Sequence, residues 1–309
     1  MPERAAGGPV GVVGLGLVGG SLARALLARG VRVLGAERDP GESRRAARCG
    51  VEVVDGAAQL AAALPAGGTV VLAVPRAALG AVAAAVLPRL APGATVLHAA
   101  GLQRPEATGL PAAAAGRVVG THPLAGSHEA GFAASRADLF AGATVWAEAR
   151  ADAATRARLE WLWTTAGAAT VRYETAAAHD AAMAWTSHLP QLASTALAAA
   201  LAAAGVPAAA GGPGLRDTTR LAASPLPLWR DLLAAAPPET DAALAALADA
   251  VAALRAALAA GDAAALDALW ERARAWRCAP TAADQPSAED RASEPGESAA
   301  TPAAAGARW

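Results

Sequence analysis

Residues 10–21 read VGVVGLGLVGGS, and this short stretch decides the fold. An apolar run at 10–13 gives way to Gly14, Gly16 and Gly19 in GxGxxG spacing, and Leu22, Leu26 and Leu27 then recur at helical intervals up to Gly30. Strand, tight turn and helix are what this pattern predicts. Glycines let the backbone turn sharply and let N–H groups at a helix start approach a pyrophosphate, so the turn is a candidate dinucleotide loop. Glu37 closes the next apolar run, VRVLGAE at 31–37. It falls about twenty residues on, where a carboxylate accepts hydrogen bonds from an adenosine ribose. The candidate cofactor contacts are Gly14, Leu15, Gly16, Leu17, Val18, Gly19, Glu37, Arg38 and Val74, the last ending the run TVVLAV. A carboxylate at 37 repels a 2′-phosphate and favours NAD, whereas Arg38 beside it is able to hold that phosphate and keeps NADP open.

Working outward, further apolar runs at 51–54, 69–74, 94–97, 117–120 and 143–147 are mostly separated by helix-length segments. Such alternation predicts a parallel sheet covered on both faces. After about residue 173 strand-like runs stop and alanine- and leucine-rich helices take over, so residues 9–173 and 174–278 are expected to form an α/β and an all-α domain. Leu244, Leu247, Val251, Leu254 and Leu258 line one face of a helix, suited to a core or to contact between copies. The longest uncharged run, 189–215, has the length to span a bilayer but is broken by Gly205, Pro207 and Gly211 to Pro213. A soluble helix followed by a loop is the expectation there. Residues 279–309 are rich in Pro, Ser, Ala and acids without periodicity, the composition of a disordered tail.

Composition excludes several classes. With 309 residues and a net charge of −1, the chain has no basic cluster to neutralise phosphates, so neither nucleic acid nor membrane is an expected partner. No lysine occurs anywhere, which removes chemistry that needs a catalytic lysine. Cys49 and Cys278 lack CxxC spacing, as expected of reduced thiols in a cytoplasmic protein, and the N-terminus has no apolar core of signal-peptide length.

All five histidines fall between residues 98 and 188, two of them in THPLAGSHEAG at 121–131. The spacing of His122 and His128 matches no common zinc motif, so no metal is expected. A neutral imidazole instead suits alcohol oxidation, where a base accepts the hydroxyl proton as hydride leaves for a nicotinamide. His122 follows the strand-like RVVGT, at the carboxyl edge where open α/β sheets bind ligands.

Three segments, HPLAGSHEAGFAASRADLFAGA (122–143), HDAAMAWTSHLPQLAS (179–194) and GGPGLRDTTRLAASPLPLWRDLL (211–233), together with GLGLVGGS, resemble the prephenate/arogenate dehydrogenase family from about residue 9 to 278. The resemblance implies an α/β N-terminal dinucleotide-binding (Rossmann-like) domain with an all-α C-terminal dimerisation domain, and a homodimer formed through the helices. It implies oxidative decarboxylation of prephenate to 4-hydroxyphenylpyruvate in tyrosine biosynthesis, or the same step on arogenate. His122 would be the catalytic histidine and Arg220 would bind a substrate carboxylate. His188, Gln191, His128, Gly101 and Asp180 would line or support the substrate pocket, with Asp217 orienting Arg220 or capping the helix that begins there. The chain departs from the family in HAAGLQ at 98–103, where a run resembling DxGSVK is usual. Gly101 takes the serine place, His98 the acid's and Gln103 the lysine's; His128 stands where glutamate is common and Gln191 where histidine is. These departures leave a nicotinamide-binding sensor as the non-enzyme alternative, and the missing lysine argues against dehydrogenases of 3-hydroxy acids.

Overall fold

A computed structural model describes residues 8–127 and 129–279, apart from the Leu228 side chain. His128 and the expected disordered tail beyond Ala279 lie outside the described residues. Strands β1 (Val10–Val13), β2 (Val33–Ala36), β3 (Glu52–Val53), β4 (Thr69–Leu72), β5 (Thr95–His98), β6 (Val118–Pro123), β7 (Thr144–Glu148) and β8 (Thr170–Glu174) form one sheet in the order 3-2-1-4-5-6-7-8. The first six are parallel to one another. The wholly parallel sheet expected from the alternation is corrected at β6 and β7, which pair antiparallel, with β8 then parallel to β7. Strand β8, TVRYE, was not among the expected runs because it has no fully buried residue, and so carries no continuous apolar signature.

The helices are α1 (Leu17–Leu27), α2 (Pro40–Arg48), α3 (Ala57–Ala63), α4 (Arg76–Val86), α5 (Pro105–Thr108), α6 (Ala112–Ala115) and α7 (Ala153–Thr165), then α8 (Ala176–Met183), α9 (Leu189–Ala203), α10 (Pro213–Thr219), α11 (Leu226–Leu233), α12 (Glu239–Ala260) and α13 (Ala263–Arg277). Successive strand residues point to opposite faces, so β1 and its neighbours feed two cores. Val10, Val12, Val71 and Leu97 pack with Leu22 and Leu26 of α1 and with Leu159, Leu162 and Trp163 of α7. Val13, Val70, Leu72 and Val96 pack instead with Leu60 of α3 and Leu79, Ala83 and Val86 of α4. Each fully buried leucine contributes on the order of 2 kcal/mol, and leucines on both faces hold the carboxyl edge of the sheet rigidly in place.

The chain divides after Leu247 into two compact units, and every site residue described below lies in the first. The change from strand to helix, after Glu174, falls inside that unit. The second holds the end of α12, a turn at Gly261 (φ 61°) and α13, whose N-terminus is capped by Asp262 accepting from the Ala265 amide at 3.0 Å. Among the described residues, one helix, Glu239–Ala260, is long and apolar enough to cross a membrane by length and composition, with mean hydropathy 1.7 in its most apolar window.

Candidate active site

Each glycine of the β1–α1 turn has a distinct physical reason. Gly14 has φ 88°, and a β-carbon there would collide with the Ala73 carbonyl. A β-carbon on Gly19 would collide with the Gly14 carbonyl, so the first turn of α1 packs against the strand only without one. At Gly16 a β-carbon would meet nothing within 4 Å, so that face of the turn is open. Gly16 is the N-cap of α1, no side chain caps it, and the first turn holds no acidic residue. The leading N–H groups therefore have no partner among the described residues, and the positive end of the helix is a fit for a pyrophosphate. Glu37 straps the turn: its Oε2 accepts from the Leu15 amide at 2.8 Å and its Oε1 from the amides of Arg38 and Asp39 at 2.7 and 3.1 Å. The Arg38 side chain is exposed.

A cavity of about 370 Å³ begins at this turn. Gly16, Leu17, Val18, Val74, Arg76, Gly101, Leu102, Ser127, Glu129 and Leu232 are among its lining residues. Arg76 at the start of α4 bridges to α11, its Nη2 donating to Asp231 Oδ1 at 2.8 Å and its Nε to the Asp231 carbonyl at 3.1 Å. The segment after β6 is pinned where Phe132, fully buried, donates its amide to Glu42 Oε2 at 2.9 Å beneath the Arg24 guanidinium. Gly101 also lines the cavity, and a β-carbon there would sit 3.5 Å from Leu232 Cδ1 and 3.9 Å from Nε2 of His122.

His122 belongs to β6, paired with Trp146 of β7, and not to the loop after it; the strand continues through Pro123, past the apolar run at 117–120. Its Nδ1 lies 3.0 Å from Nε2 of His179 on α8, and Nδ1 of His179 lies 2.8 Å from Oδ1 of Asp180. Asp180, fully buried, also accepts from the backbone amides of Gln103 (2.8 Å) and Arg104 (2.9 Å). Burial opposes its ionisation, but the bonds from His179 and the two amides outweigh it and hold the carboxyl below its ordinary range. An ionised carboxylate only accepts, so His179 donates from Nδ1 and presents bare Nε2. Neutral His122 must then donate from Nδ1, leaving its own Nε2 as an acceptor beside Gly101. Burial, followed by the His179 charge, pushes the His122 imidazole down to about 3.

The departures around residue 100 have structural roles. His98 is buried, accepts the Ala100 amide on Nδ1 at 3.3 Å, and is pushed down to about 4 by burial and then by the Arg150 charge. Its carbonyl accepts from Thr121 Oγ1 at 2.8 Å. Gln103 donates from Nε2 to the carbonyls of Ala100 (2.7 Å) and Thr121 (3.1 Å), tying the β5 end to β6. A β-carbon on Gly120 would collide with Gln103 Oε1, which explains the glycine before Thr121.

In the helical region, the chain widens to a π-turn over Ala184–His188, a feature often found at functional sites. It carries His188, buried, whose Nδ1 lies 2.8 Å from Thr240 Oγ1 and whose ring stands edge-on to Trp229. Burial first, then the neighbouring His179, keeps His188 below its ordinary pKa despite the Asp180 carboxylate. Gln191 is buried and donates from Nε2 to the Leu221 carbonyl at 2.8 Å, and Ser194 Oγ accepts from the Ala222 amide at 3.2 Å. Both hold the tight turn Arg220–Ala223 against α9. Arg220 itself is exposed, outside the lining of the 370 Å³ cavity, and without a hydrogen-bond partner among the described residues. The expected role of Asp217 is corrected: α10 starts at Pro213 with Gly212 as N-cap, and Asp217 lies exposed in its middle, bonded to no residue described. His179, Trp146 and the Arg76–Asp231 pair were not singled out as site residues. Only the adjacent His-Asp pair at 179–180 offered a signal, since an imidazole beside an acid is a common way to fix a tautomer.

The nucleotide-binding domain of prephenate dehydrogenase matches residues 22–168 and the prephenate dehydrogenase dimerization domain matches residues 175–271. No curated protein matches the chain significantly in sequence. Among solved structures, prephenate dehydrogenase from A. aeolicus, in complex with hydroxyphenyl propionate and NAD+, is 24% identical with a TM-score of 0.77 over 87% of this chain and 97% of its own. Arogenate dehydrogenase from Synechocystis is 24% identical, TM-score 0.71, over 87% and 98%. A putative prephenate dehydrogenase from Corynebacterium glutamicum is 26% identical, TM-score 0.77, over 88% and 90%. On the two domain matches, which together span most of its length, the chain belongs to the prephenate/arogenate dehydrogenase family of oxidoreductases.

Proposed function

We propose that this protein is an NAD-dependent prephenate dehydrogenase, converting prephenate to 4-hydroxyphenylpyruvate for tyrosine synthesis in the cytoplasm as a homodimer built on its helices. The domain division at 173/174 is part of this reading, with α12, inside the matched dimerization domain, as a dimer helix. The observation that carries it is the cavity lined both by the open N-terminus of α1 and by Gly101, where a β-carbon would sit 3.9 Å from the acceptor nitrogen of His122. NAD, held by the Gly14–Gly19 turn and Glu37, supplies the hydride acceptor. The A. aeolicus protein, alike in fold, binds NAD+ and a hydroxyphenyl compound.

His122 Nε2 accepts the proton of the ring hydroxyl as hydride leaves the carbinol carbon. Carbon dioxide is then lost as the ring becomes aromatic, so no metal or lysine is required. Arg220 binds a substrate carboxylate, as an exposed guanidinium fork is shaped to do. His188 and Gln191 hold the walls from which the pocket is built, and Gly101 leaves room beside the base. Misplacement of the reacting groups by about 1 Å costs roughly a hundredfold in rate, which explains the dense hydrogen bonding around residues 98–103.

Purified protein with prephenate and NAD is expected to produce NADH and 4-hydroxyphenylpyruvate, and His122→Ala to abolish turnover while retaining NAD binding. Arogenate in place of prephenate, and NADP in place of NAD, distinguish the related activities. Binding of NAD with neither substrate consumed refutes the enzymatic reading in favour of a sensor.

A further inference from the structure

We infer that His179 and Asp180 form a proton relay behind His122, so that the proton taken from the substrate hydroxyl leaves its positive charge on His179 against Asp180 and not on His122. The inference rests on His122 being the base. Its ground is the unbroken line of contacts His122 Nδ1 to His179 Nε2 (3.0 Å) and His179 Nδ1 to Asp180 Oδ1 (2.8 Å). His179 and Asp180 are 2% and 0% exposed in their side chains. Two further features fix the direction of the line. Asp180 is anchored by the Gln103 and Arg104 amides, so it stays an acceptor and cannot swing away. The His179 ring is held edge-on by Trp146 at 5.0 Å between centroids and by His122 at 5.2 Å.

The transfer balances. The O–H bond of the substrate breaks, its proton bonds to Nε2 of His122, and its electron pair completes the new carbonyl as the C–H hydride departs to the nicotinamide dinucleotide of the proposed reaction. The proton on Nδ1 of His122 moves to Nε2 of His179, while the Nδ1 proton of His179 stays bonded towards Asp180. His122 ends neutral with its tautomer exchanged, and an imidazolium faces a carboxylate in a charge-assisted hydrogen bond. After product leaves, the same two transfers run backwards and Nε2 of His122 releases the proton to water in the emptied cavity.

The relay answers a difficulty in the site itself. Burial and the neighbouring imidazoles of His179, His98 and His188 all disfavour a positive charge on His122. A lone base in that place would be too weak, whereas a charge moved one ring further meets the Asp180 carboxylate bonded to His179. The other carboxylates near His179, Glu148 and Glu174, share a cavity wall with it of about one water molecule's size and are not hydrogen-bonded to its ring. His179 and Asp180 are thus positioning residues that act through His122.

The test has two arms. In the unaltered, cofactor-free chain, 15N NMR of its five histidines is expected to show His122 and His179 both protonated on Nδ1 and bare on Nε2. His122 protonated on Nε2 overturns the relay without any variant having to fold. In the second arm, His179→Gln keeps an acceptor for the His122 Nδ1 proton but cannot take that proton. We expect kcat to fall roughly a hundredfold, within the range for a positioned acid–base group, with KM changed less than about threefold. In H2O–D2O mixtures the dependence of kcat on deuterium fraction changes from bowed, with two protons in flight, to linear. Asp180→Asn, if folded by circular dichroism, gives a comparable loss. Wild-type kcat and a still-bowed dependence in His179→Gln refute the relay. An active His122→Ala variant refutes the base assignment, whereas an inactive His122→Ala beside a normal His179→Gln refutes the relay alone.

Discussion

Replacing His98 with glutamine is expected to flatten the acid side of the stability curve. His98 is 2% exposed at the end of β5, with Arg150, Asp180 and His179 the charged or titratable groups that act on it. Burial first, then Arg150, pushes its folded pKa down to about 4, against an ordinary value of 6.5. Between those values the unfolded chain binds a proton that the folded chain refuses, so stability rises with pH across this window and is lost as pH falls through it. At about pH 5, linkage over this shift removes on the order of 2 kcal/mol relative to about pH 7.5, where the term vanishes. Glutamine forfeits the bond from the Ala100 amide to Nδ1, a cost equal at both pH values that cancels in the comparison. Urea unfolding of both proteins at the two pH values measures the difference through midpoint and slope. The wild-type advantage should shrink, or reverse, by about 2 kcal/mol at the lower pH. An identical gap at both pH values refutes the claim that His98 is held neutral by its surroundings.

Two further outcomes follow from the site. With prephenate, the proposed substrate, Arg220→Ala should raise KM about 10- to 100-fold, the worth of a charge-assisted hydrogen bond, with kcat less affected; an unchanged KM refutes the proposed role of Arg220. Gly101→Ser should fold normally, since its β-carbon meets only Leu232 and His122 at 3.5 and 3.9 Å. A thermal midpoint within about 2 °C of wild type is expected, and a fall of about 8 °C would show that the position is closed.

The sequence alone determined what is written in local periodicity. Strand, glycine turn and helix at 10–27 were legible because apolar spacing and the need for bare backbone at Gly14 and Gly19 are properties of neighbouring residues. The same holds for the switch from strands to helices after Glu174, and for the order of motifs that points to the family. Tertiary structure decided what neighbouring residues do not encode. The reversal at β7 seats His122 opposite Trp146, and nothing within the run VVGTHP announces that pairing. His122 meets His179 across 57 positions, and Asp180 meets the Gln103 amide across 77. Gln103 reads in the sequence as a substitute for a lysine, yet its amide ties β5 to β6; Asp217 reads as a partner of Arg220, yet no bond joins them at the end of α10. Hydrogen bonds across such separations follow from how the sheet and α8 pack, and packing leaves no periodic trace in the chain. The acceptor nitrogen of His122 is therefore a product of the folded molecule, oriented by a carboxylate that the sequence places far away.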